Sequence, residues 1–444
     1  MGMPVVDAAV YFDGCWMRVE TRRAPFEPAQ VEARINLDDL NPLTPRASAP
    51  ELFELLDLLI AVYALDRSVS RPADGWAREF NICFPVYRVE DWRRHAPLVR
   101  EWLFSLTGDF VEVAPMPRTS SAGHHGRPPS LDLNGGADVI GLLSDGLDSL
   151  CGIDTAVRDR TRRLALASVI TSDTRGRRID EMARWATAAA GYDVEHLRLR
   201  TKLRRKPRAE KTQRSRTVLA LVTGLTAASA LGAKYVESYE NGIGVLNLPV
   251  PDLQYGTMST QVLQPRYLPI WDRIARAFFG ADIRVRYPNR FSTKGEMVAG
   301  LSPEASRLVR DGTFSCDAEH RANGHILHCG SCGSCRYRQL SLASSGMPIV
   351  DAEYVFRKVK EYRADPLNMM RYHADLLAEA LSEADPWSAL LRLQPELCGV
   401  DSAEYARGGD AADAWRVDAR EHTIELLRRH VREVQGWRVA SHAA

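Results

Sequence analysis

Ala137-Asp138-Val139-Ile140-Gly141-Leu142-Leu143-Ser144-Asp145-Gly146-Leu147-Asp148-Ser149-Leu150-Cys151 is the stretch that decides the architecture. An apolar run of strand length, Asp138–Leu143, breaks into a loop of small and acidic residues. A helical pattern, Asp148–Asp159, starts inside that loop. The same alternation continues downstream. Leu164–Thr171, Val194–Leu199 and Lys234–Ser238 read as strands, with helices Arg177–Ala190 and Gln213–Leu231 between them. Strands alternating with helices on this scale predict an α/β fold, a parallel doubly wound sheet covered on both faces.

Ligands of open parallel sheets bind beyond the carboxyl ends of strands. There Ser144-Asp145-Gly146-Leu147-Asp148-Ser149 places unpaired backbone N–H groups and a helix dipole, with Ser144 and Ser149 as hydroxyl donors. The arrangement suits a pyrophosphate. Neither G-x-x-x-x-G-K-[ST] nor G-x-G-x-x-G is met. The hexapeptide resembles the S-G-G-x-D-S loop of the PP-loop ATP pyrophosphatases, which cleave ATP between its α- and β-phosphates. Asp145 stands where that group has Gly. Its carboxylate repels a pyrophosphate unless Mg²⁺ intervenes or the side chain turns away.

Around this centre the chain divides into four parts. Residues 1–116 carry four of the nine tryptophans and read as an α+β domain, with strands Asp7–Phe12, Phe80–Val89 and Phe110–Ala114 and a helix Ala49–Leu65. Residues 117–136, rich in Ser, Gly and Pro, read as a linker. The α/β unit follows over 137–345, and 346–444 reads as helical, with segments Ala352–Ala364, Met369–Ala384 and Ala411–Val439. With 444 residues, 58 Lys and Arg against 57 Asp and Glu, and 45% hydrophobic residues, the chain is neither a basic nucleic-acid coat protein nor a disordered acidic one. Met1–Trp16 lacks the basic start and apolar run of an export signal, and Thr217–Ala233 is short for a bilayer span, so a cytoplasmic protein without a membrane partner is expected. Arg198–Arg216 holds ten Lys and Arg; it reads as a solvated loop closing over ATP in preference to a nucleic-acid contact.

Four of the eight cysteines, Cys316, Cys329, Cys332 and Cys335, fall within twenty residues. Four soft sulfur ligands on one short loop favour a closed tetrahedral Zn²⁺ site; an iron–sulfur cluster is the rival. His320, His325 and His328 read as ordinary loop histidines.

Together, the loop, Thr313-Phe314-Ser315-Cys316 and Cys329-Gly330-Ser331-Cys332-Gly333-Ser334-Cys335-Arg336-Tyr337-Arg338 resemble the 7-cyano-7-deazaguanine synthase family of queuosine biosynthesis over roughly Ala137–Leu342. Gln213–Arg216, Glu240–Gly244, Leu246–Pro249, Met258–Thr260 and Thr293–Met297 look like a longer, divergent branch found in bacterial antiviral defence operons. Asp66-Arg67, Arg71, Trp76-Ala77-Arg78 and Leu106–Asp109 fit that branch too. The resemblance implies a PP-loop (adenine nucleotide alpha-hydrolase-like) sheet with a zinc loop, and ATP, Mg²⁺ and Zn²⁺ as cofactors. It implies adenylation of a 7-carboxy-7-deazaguanine carboxylate followed by amide formation, here with an amino group, the N-terminus, of a partner protein. Ammonia as the amine, giving the plain synthase, is one alternative; tRNA thiolation is another, and a non-catalytic nucleotide-binding scaffold a third. On this reading Asp148, Arg214 and Lys294 are catalytic, with Asp148 helping to hold Mg²⁺. Ser144, Asp145, Gly146, Leu147, Asp148, Ser149 and Arg216 bind ATP. Glu240, Asn241, Asn247, Asp252 and Arg266 bind substrate, and Tyr239 or Tyr255 stacks on the base.

Overall fold

The computed structural model describes residues 5–13, 16–23, 35–36, 53–71, 77–118, 136–201, 214–248, 261–280, 282–317, 320–322, 325–356, 365–402, 405 and 419–437. Its N-terminal part runs β1 (Val5–Asp13), β2 (Trp16–Arg23), β3 (Ile35–Asn36), α1 (Glu54–Ser68), β4 (Glu79–Val86), α2 (Val89–Thr107) and β5 (Phe110–Pro117). These strands form one five-stranded sheet in the order β3-β2-β1-β4-β5. β1 and β2 pair antiparallel, while β4 pairs parallel to both β1 and β5. Along β4 every second residue is buried, the period of a sheet with one face on a core.

The α/β unit begins with β6 (Val139–Leu142), α3 (Leu147–Arg158), β7 (Leu164–Ile170), α4 (Asp173–Ala190), β8 (His196–Arg200), α5 (Arg214–Leu231) and β9 (Tyr235–Glu237). It continues through α6 (Gly242–Val245), α7 (Leu268–Phe279), β10 (Arg284–Arg286), α8 (Lys294–Ala299), α9 (Pro303–Ser306), α10 (Leu308–Gly312), β11 (His320–Ala322), β12 (His325–Leu327) and α11 (Gly333–Ser344). The sheet order is β10-β9-β6-β7-β8, parallel throughout. The expected parallel α/β sheet is therefore present. The chain leaves β6 toward β7 and β8, then returns to the other side of β6 for β9. The carboxyl end of β6 is thus the point where the winding reverses, the place where such sheets bind ligands.

α3 and α4 cover one face, packing with Val139, Leu164 and Leu166. α5 covers the other, against Ile140, Ala165, Ala167 and Val236. α5 lies between two layers: α1, itself buried from Glu54 to Arg67, packs on its far side. Small residues make this possible. A Cβ on Gly224 would come within 2.7 Å of Val236 and 2.9 Å of Leu142. The hydroxyls of Thr223 and Thr226 return their hydrogen bonds to the Leu219 and Val222 carbonyls one turn back. The apolar core consequently runs without a break from the N-terminal sheet into the α/β unit, although residues 119–135 of the expected linker lie outside the described residues. Among the described residues no helix is long and apolar enough to cross a membrane.

The C-terminal part is α12 (Pro366–Ser382), α13 (Pro386–Leu393), a 3₁₀ turn Pro395–Asp401 and α14 (Ala419–Gly436). The helix expected over Ala352–Ala364 is not formed in its first residues. Residues 351–356 form no helix: Tyr354 bridges to His328, the Val355 N–H donates to the His328 carbonyl, and Phe356 takes a left-handed φ of 44°. Residues 357–364 lie outside the described residues.

The N-terminal sequence signals converge on one buried ion network. Arg78, fully buried, donates to Asp66 Oδ1 at 2.6 Å and to Asp109 Oδ2 at 2.7 Å. Arg71 adds 2.7 Å bonds to both Asp109 oxygens. The remaining oxygen of Asp66 accepts from the Ser215 N–H at 3.2 Å and its hydroxyl at 2.6 Å, at the first turn of α5. A carboxylate there satisfies orphan amides and complements the helix dipole. Removing one member of a buried pair leaves the others' charge uncompensated. Asp66→Ala should therefore cost about 3 kcal/mol of stability, read from urea unfolding. It should also loosen the first turn of α5, read from amide exchange at Ser215 and Arg216.

Glu54, at the start of α1, accepts hydrogen bonds from the Tyr87 N–H and, at 2.6 Å, the Trp92 indole. Burial pushes its carboxyl from 4.5 up to about 7. Below pH 4.5 folded and unfolded chains both hold this proton. Between 4.5 and about 7 the unfolded chain releases it first, so stability falls as pH rises and stays lowered above 7, by at most about 3 kcal/mol. Glu54→Gln should flatten that part of the urea-midpoint profile.

Candidate functional site

The Ser144–Ser149 loop connects the carboxyl end of β6 to α3. Its serines close a small ring: the Ser144 N–H donates to Ser149 Oγ at 3.1 Å, the two hydroxyls lie 2.8 Å apart, and the Gly146 N–H donates to Ser144 Oγ at 3.2 Å. Gly146 is the N-cap of α3, and no side chain caps that helix. Its first-turn amides therefore point out of the carboxyl edge of the sheet, the geometry that favours an anion. Ser144 is exposed, whereas Leu147 is core.

The Asp145 carboxylate turns away from the loop opening into an arginine cluster. Oδ1 lies 3.0 Å from Arg175 Nη1 and Oδ2 lies 3.7 Å from Arg178 Nη1, both on the first turns of α4. Burial raises its pKa, working against the nearby positive charges of Arg175, Arg178 and Arg216. The Asp145 carbonyl accepts the Phe314 N–H at 2.6 Å, and Arg178 stacks 4.6 Å from the Phe314 ring.

Behind the loop sits a second buried cluster. Lys294 Nζ pairs with Asp148 Oδ1 at 3.2 Å, and Asn241 Nδ2 donates to Asp148 Oδ2 and Glu240 Oε1, both at 2.9 Å. Tyr337 donates its hydroxyl proton to Asn241 Oδ1 at 3.0 Å, and its ring lies 4.8 Å from Lys294 Nζ. Burial opposes both charges of the pair, but Lys294 and the surrounding hydrogen bonds hold Asp148 below the usual carboxylate range, and Asp148 and Glu240 in turn raise Lys294. Burial and the charge of Asp148 push the Glu240 carboxyl well above the usual carboxylate range, beside an ion pair. Two carboxyl groups with pKa values driven apart can divide donor and acceptor roles. Asp148, expected to help hold Mg²⁺, has Oδ1 beside Lys294 and Oδ2 on the Asn241 amide.

α8 is held by a capping box between Thr293 and Glu296, and the Thr293 hydroxyl donates to Glu433 of α14. Burial raises the Glu433 carboxyl to about 7. Arg429 of the same helix pairs with Glu296 at 2.7 Å. The C-terminal part thus braces the turn that carries Lys294.

The four cysteines meet in a buried cluster able to hold a metal such as zinc. All four sulfurs lie within 4.8 Å of one another, with Cys329–Cys335 at 3.9 Å and Cys316–Cys332 at 4.0 Å. A tetrahedron of Zn–S bonds of about 2.3 Å has edges of about 3.8 Å, so the cage is sized for a single ion. Backbone N–H groups of Cys329, Ser331, Cys332 and Cys335 donate to the sulfurs at 3.2–3.4 Å. Gly330, at φ 76°, makes the tight turn between them. Arg338, fully buried, reaches Thr313, Val309 and Asp351 and fixes the arm that carries Cys316. His328 accepts the Ser315 N–H at 3.1 Å through Nε2; burial lowers its pKa to about 4, so it stays neutral and structural. For His320 and His325 only the backbone is described.

Several expected site residues lie elsewhere. Arg214 donates to the Thr107 carbonyl at 3.1 Å on the N-terminal side, where burial lowers its pKa to about 10. Residues two apart on a helix point about 200° apart, so Arg216 faces the Asp145 cluster while Arg214 cannot. Arg266 is exposed over the Tyr267 ring, where its turn meets Gly399. Asn247 takes a left-handed φ of 54° after α6. The Tyr239 ring is core, packed on Gly152, and does not offer a stacking face. Asp252, Tyr255, Gln213 and Met258–Thr260 lie outside the described residues. Arg175, Arg178, Tyr337 and Glu433 were not foreseen; the repeated arginines in Thr174-Arg175-Gly176-Arg177-Arg178, opening the helix after the second strand, were the available signal.

No protein-family model matches the chain, and neither a curated protein nor a solved structure matches it.

Losing one thiolate opens a closed zinc site. Cys332→Ser should abolish the zinc found by elemental analysis of the purified chain. It should also lower the melting temperature, because among the described residues of the Thr313–Cys335 segment the small core consists of Phe314 and the four cysteines.

Proposed function

We propose that the chain is an ATP-dependent adenylating enzyme of the PP-loop pyrophosphatase type. It activates the carboxylate of a 7-carboxy-7-deazaguanine-like acid and joins it as an amide to a partner protein's amino group, the N-terminus, in antiphage defence. The observation that carries this reading is the bond between Phe314 and Asp145. It ties the four-cysteine segment to a serine-ringed loop at the reversal point of a parallel sheet. The substrate class is supported by the motif resemblance of Glu240–Gly244, Thr293–Met297 and Cys329–Arg338.

In the reaction a substrate carboxylate oxygen attacks the α-phosphorus of ATP, the Pα–O–Pβ bond breaks, and pyrophosphate leaves. The amine then attacks the acyl carbon, AMP leaves, and the amine proton passes to a base or to water. Mg²⁺ bound to ATP supplies charge neutralisation, with no protein ligand assigned to it. The amides of α3 and the ring of Ser144 and Ser149 hold phosphate oxygens. Lys294, kept charged by Asp148, stabilises charge growing on the α-phosphate. Glu240, favoured in its protonated form by burial and by Asp148, would donate a hydrogen bond without adding repulsion. A bound zinc ion would fix the Phe314 strand and so the loop's shape.

Purified protein incubated with the nucleobase, ATP, Mg²⁺ and candidate partners should release AMP and pyrophosphate and add the deazaguanine mass to the partner's N-terminal peptide. Lys294→Ala should lower kcat/KM by about 100-fold, roughly 2.7 kcal/mol. Free nitrile with an unmodified partner would favour the ammonia reaction; absence of pyrophosphate release would favour a scaffold.

A further inference from the structure

Lys294 carries its charge on a flexible four-carbon stem, and one ion pair leaves such a stem free to turn. We propose that Tyr337 is a positioning residue for the Lys294–Asp148 pair, acting on the ammonium through its ring and on the carboxylate through Asn241. The proposal rests on the adenylating reading of the site and deepens it.

The placement comes from α11. Its N-cap is Cys332, whose sulfur accepts the Cys335 N–H, so the helix starts on the four-cysteine cluster. Tyr337 follows in the next turn, and its carbonyl accepts the Ser341 hydroxyl at 2.6 Å. Arg338 ties the same turn to Val309 and Thr313. The start of α11 is therefore pinned by the cysteines before Tyr337 and by Arg338 after it. From this base the Tyr337 hydroxyl donates to Asn241 Oδ1 at 3.0 Å, its ring centroid lies 4.8 Å from Lys294 Nζ, and the His430 ring of α14 meets it edge-on at 6.0 Å.

The hydroxyl settles the Asn241 amide. Oδ1 takes both that proton and the Gly244 N–H, so Nδ2 faces Asp148 Oδ2 and Glu240 Oε1, each at 2.9 Å. With Oδ2 held there, Asp148 turns Oδ1 to Lys294 at 3.2 Å. The ring puts its π face near the ammonium, within the range of about 6 Å over which cation–π attraction acts. Lys294 thus has a carboxylate and a ring as fixed neighbours, while its side chain, 15% exposed, keeps a part open to a ligand. Tyr337 is buried and its hydroxyl is engaged by Asn241, so its effect on a ligand passes through Lys294.

Tyr337→Phe keeps the ring and loses the hydroxyl; Tyr337→Leu loses both. Holding Lys294 matters most while charge grows on the α-phosphate, so the loss falls on kcat. In pyrophosphate release from ATP, Tyr337→Phe should lower kcat about 5-fold and Tyr337→Leu about 50-fold, each with KM for ATP within about 2-fold of the unmodified chain. A residue that only supports the fold would add the same loss to any variant. In a Lys294→Ala background, by contrast, Tyr337→Leu should cost less than about 3-fold further, because the group it positions is gone. Urea midpoints of the unmodified chain, the two single variants and the double variant give a second cycle that needs no turnover. There the double variant should lose less than the sum of the single losses. The full loss from Tyr337→Leu in the Lys294→Ala background would overturn the positioning role, and so would an unchanged kcat in Tyr337→Leu alone. An unmodified chain that releases no pyrophosphate would remove the adenylating reading. The urea cycle then decides the contact by itself: coupled midpoints uphold Tyr337 as the group that fixes Lys294, and additive ones overturn it.

Discussion

β6 has its sequence-adjacent neighbour β7 on one side and β9 on the other, so the two halves of the sheet wind away from its carboxyl end in opposite senses. No crossover helix covers such a point, and what lies there is the uncapped start of α3. The rest of the candidate site is arranged around that opening. α4 brings two arginines from the neighbouring strand, α5 brings a third, and the four-cysteine arm reaches across to hold the loop by its backbone.

Burying so much charge is costly unless each group is paired, and the structure pairs groups by drawing them from distant parts of the chain. Asp66, Arg71, Arg78 and Asp109 neutralise one another within the N-terminal part and reach Ser215 on α5. Glu433 and Arg429 of α14 brace Thr293 and Glu296 on either side of Lys294. The N-terminal and C-terminal parts therefore act on the site at second hand: one sets the first turn of α5, the other the first turn of α8.

The parallel sheet was legible because strand and helix periods differ, and because β7 is apolar along nearly its whole length. α2 escaped notice: Pro97 and a polar first half obscure its period, and its burial comes from Trp92, Val99, Trp102 and Leu103 packing toward α7. The non-helical segment at 351–356 escaped too, since the pairing partner of Tyr354, His328, is distant in sequence. In the site, Cys316, Cys329, Cys332 and Cys335 were readable from spacing, because soft ligands so close together have few other uses. The fate of Asp145 was not readable: a carboxylate in a loop that the resemblance reads as phosphate-binding looks like a defect until Arg175 and Arg178 are seen beside it.

The sequence by itself determined the local choices: a strand running into a small-residue loop and a helix, a four-thiolate spacing, and a helical stretch, Thr217–Ala233, that is uncharged yet short for a bilayer span. Those depend on residues that are neighbours along the chain, so propensity and period suffice. Tertiary structure alone decided which way Arg214 and Arg216 point, that Tyr239 is core, and that the N-terminal part shares its core with the α/β unit. The physical reason is the rotation of each helix about its axis. Packing against α1, the sheet and α14 sets that rotation, and with it the side of the molecule on which every charged side chain emerges.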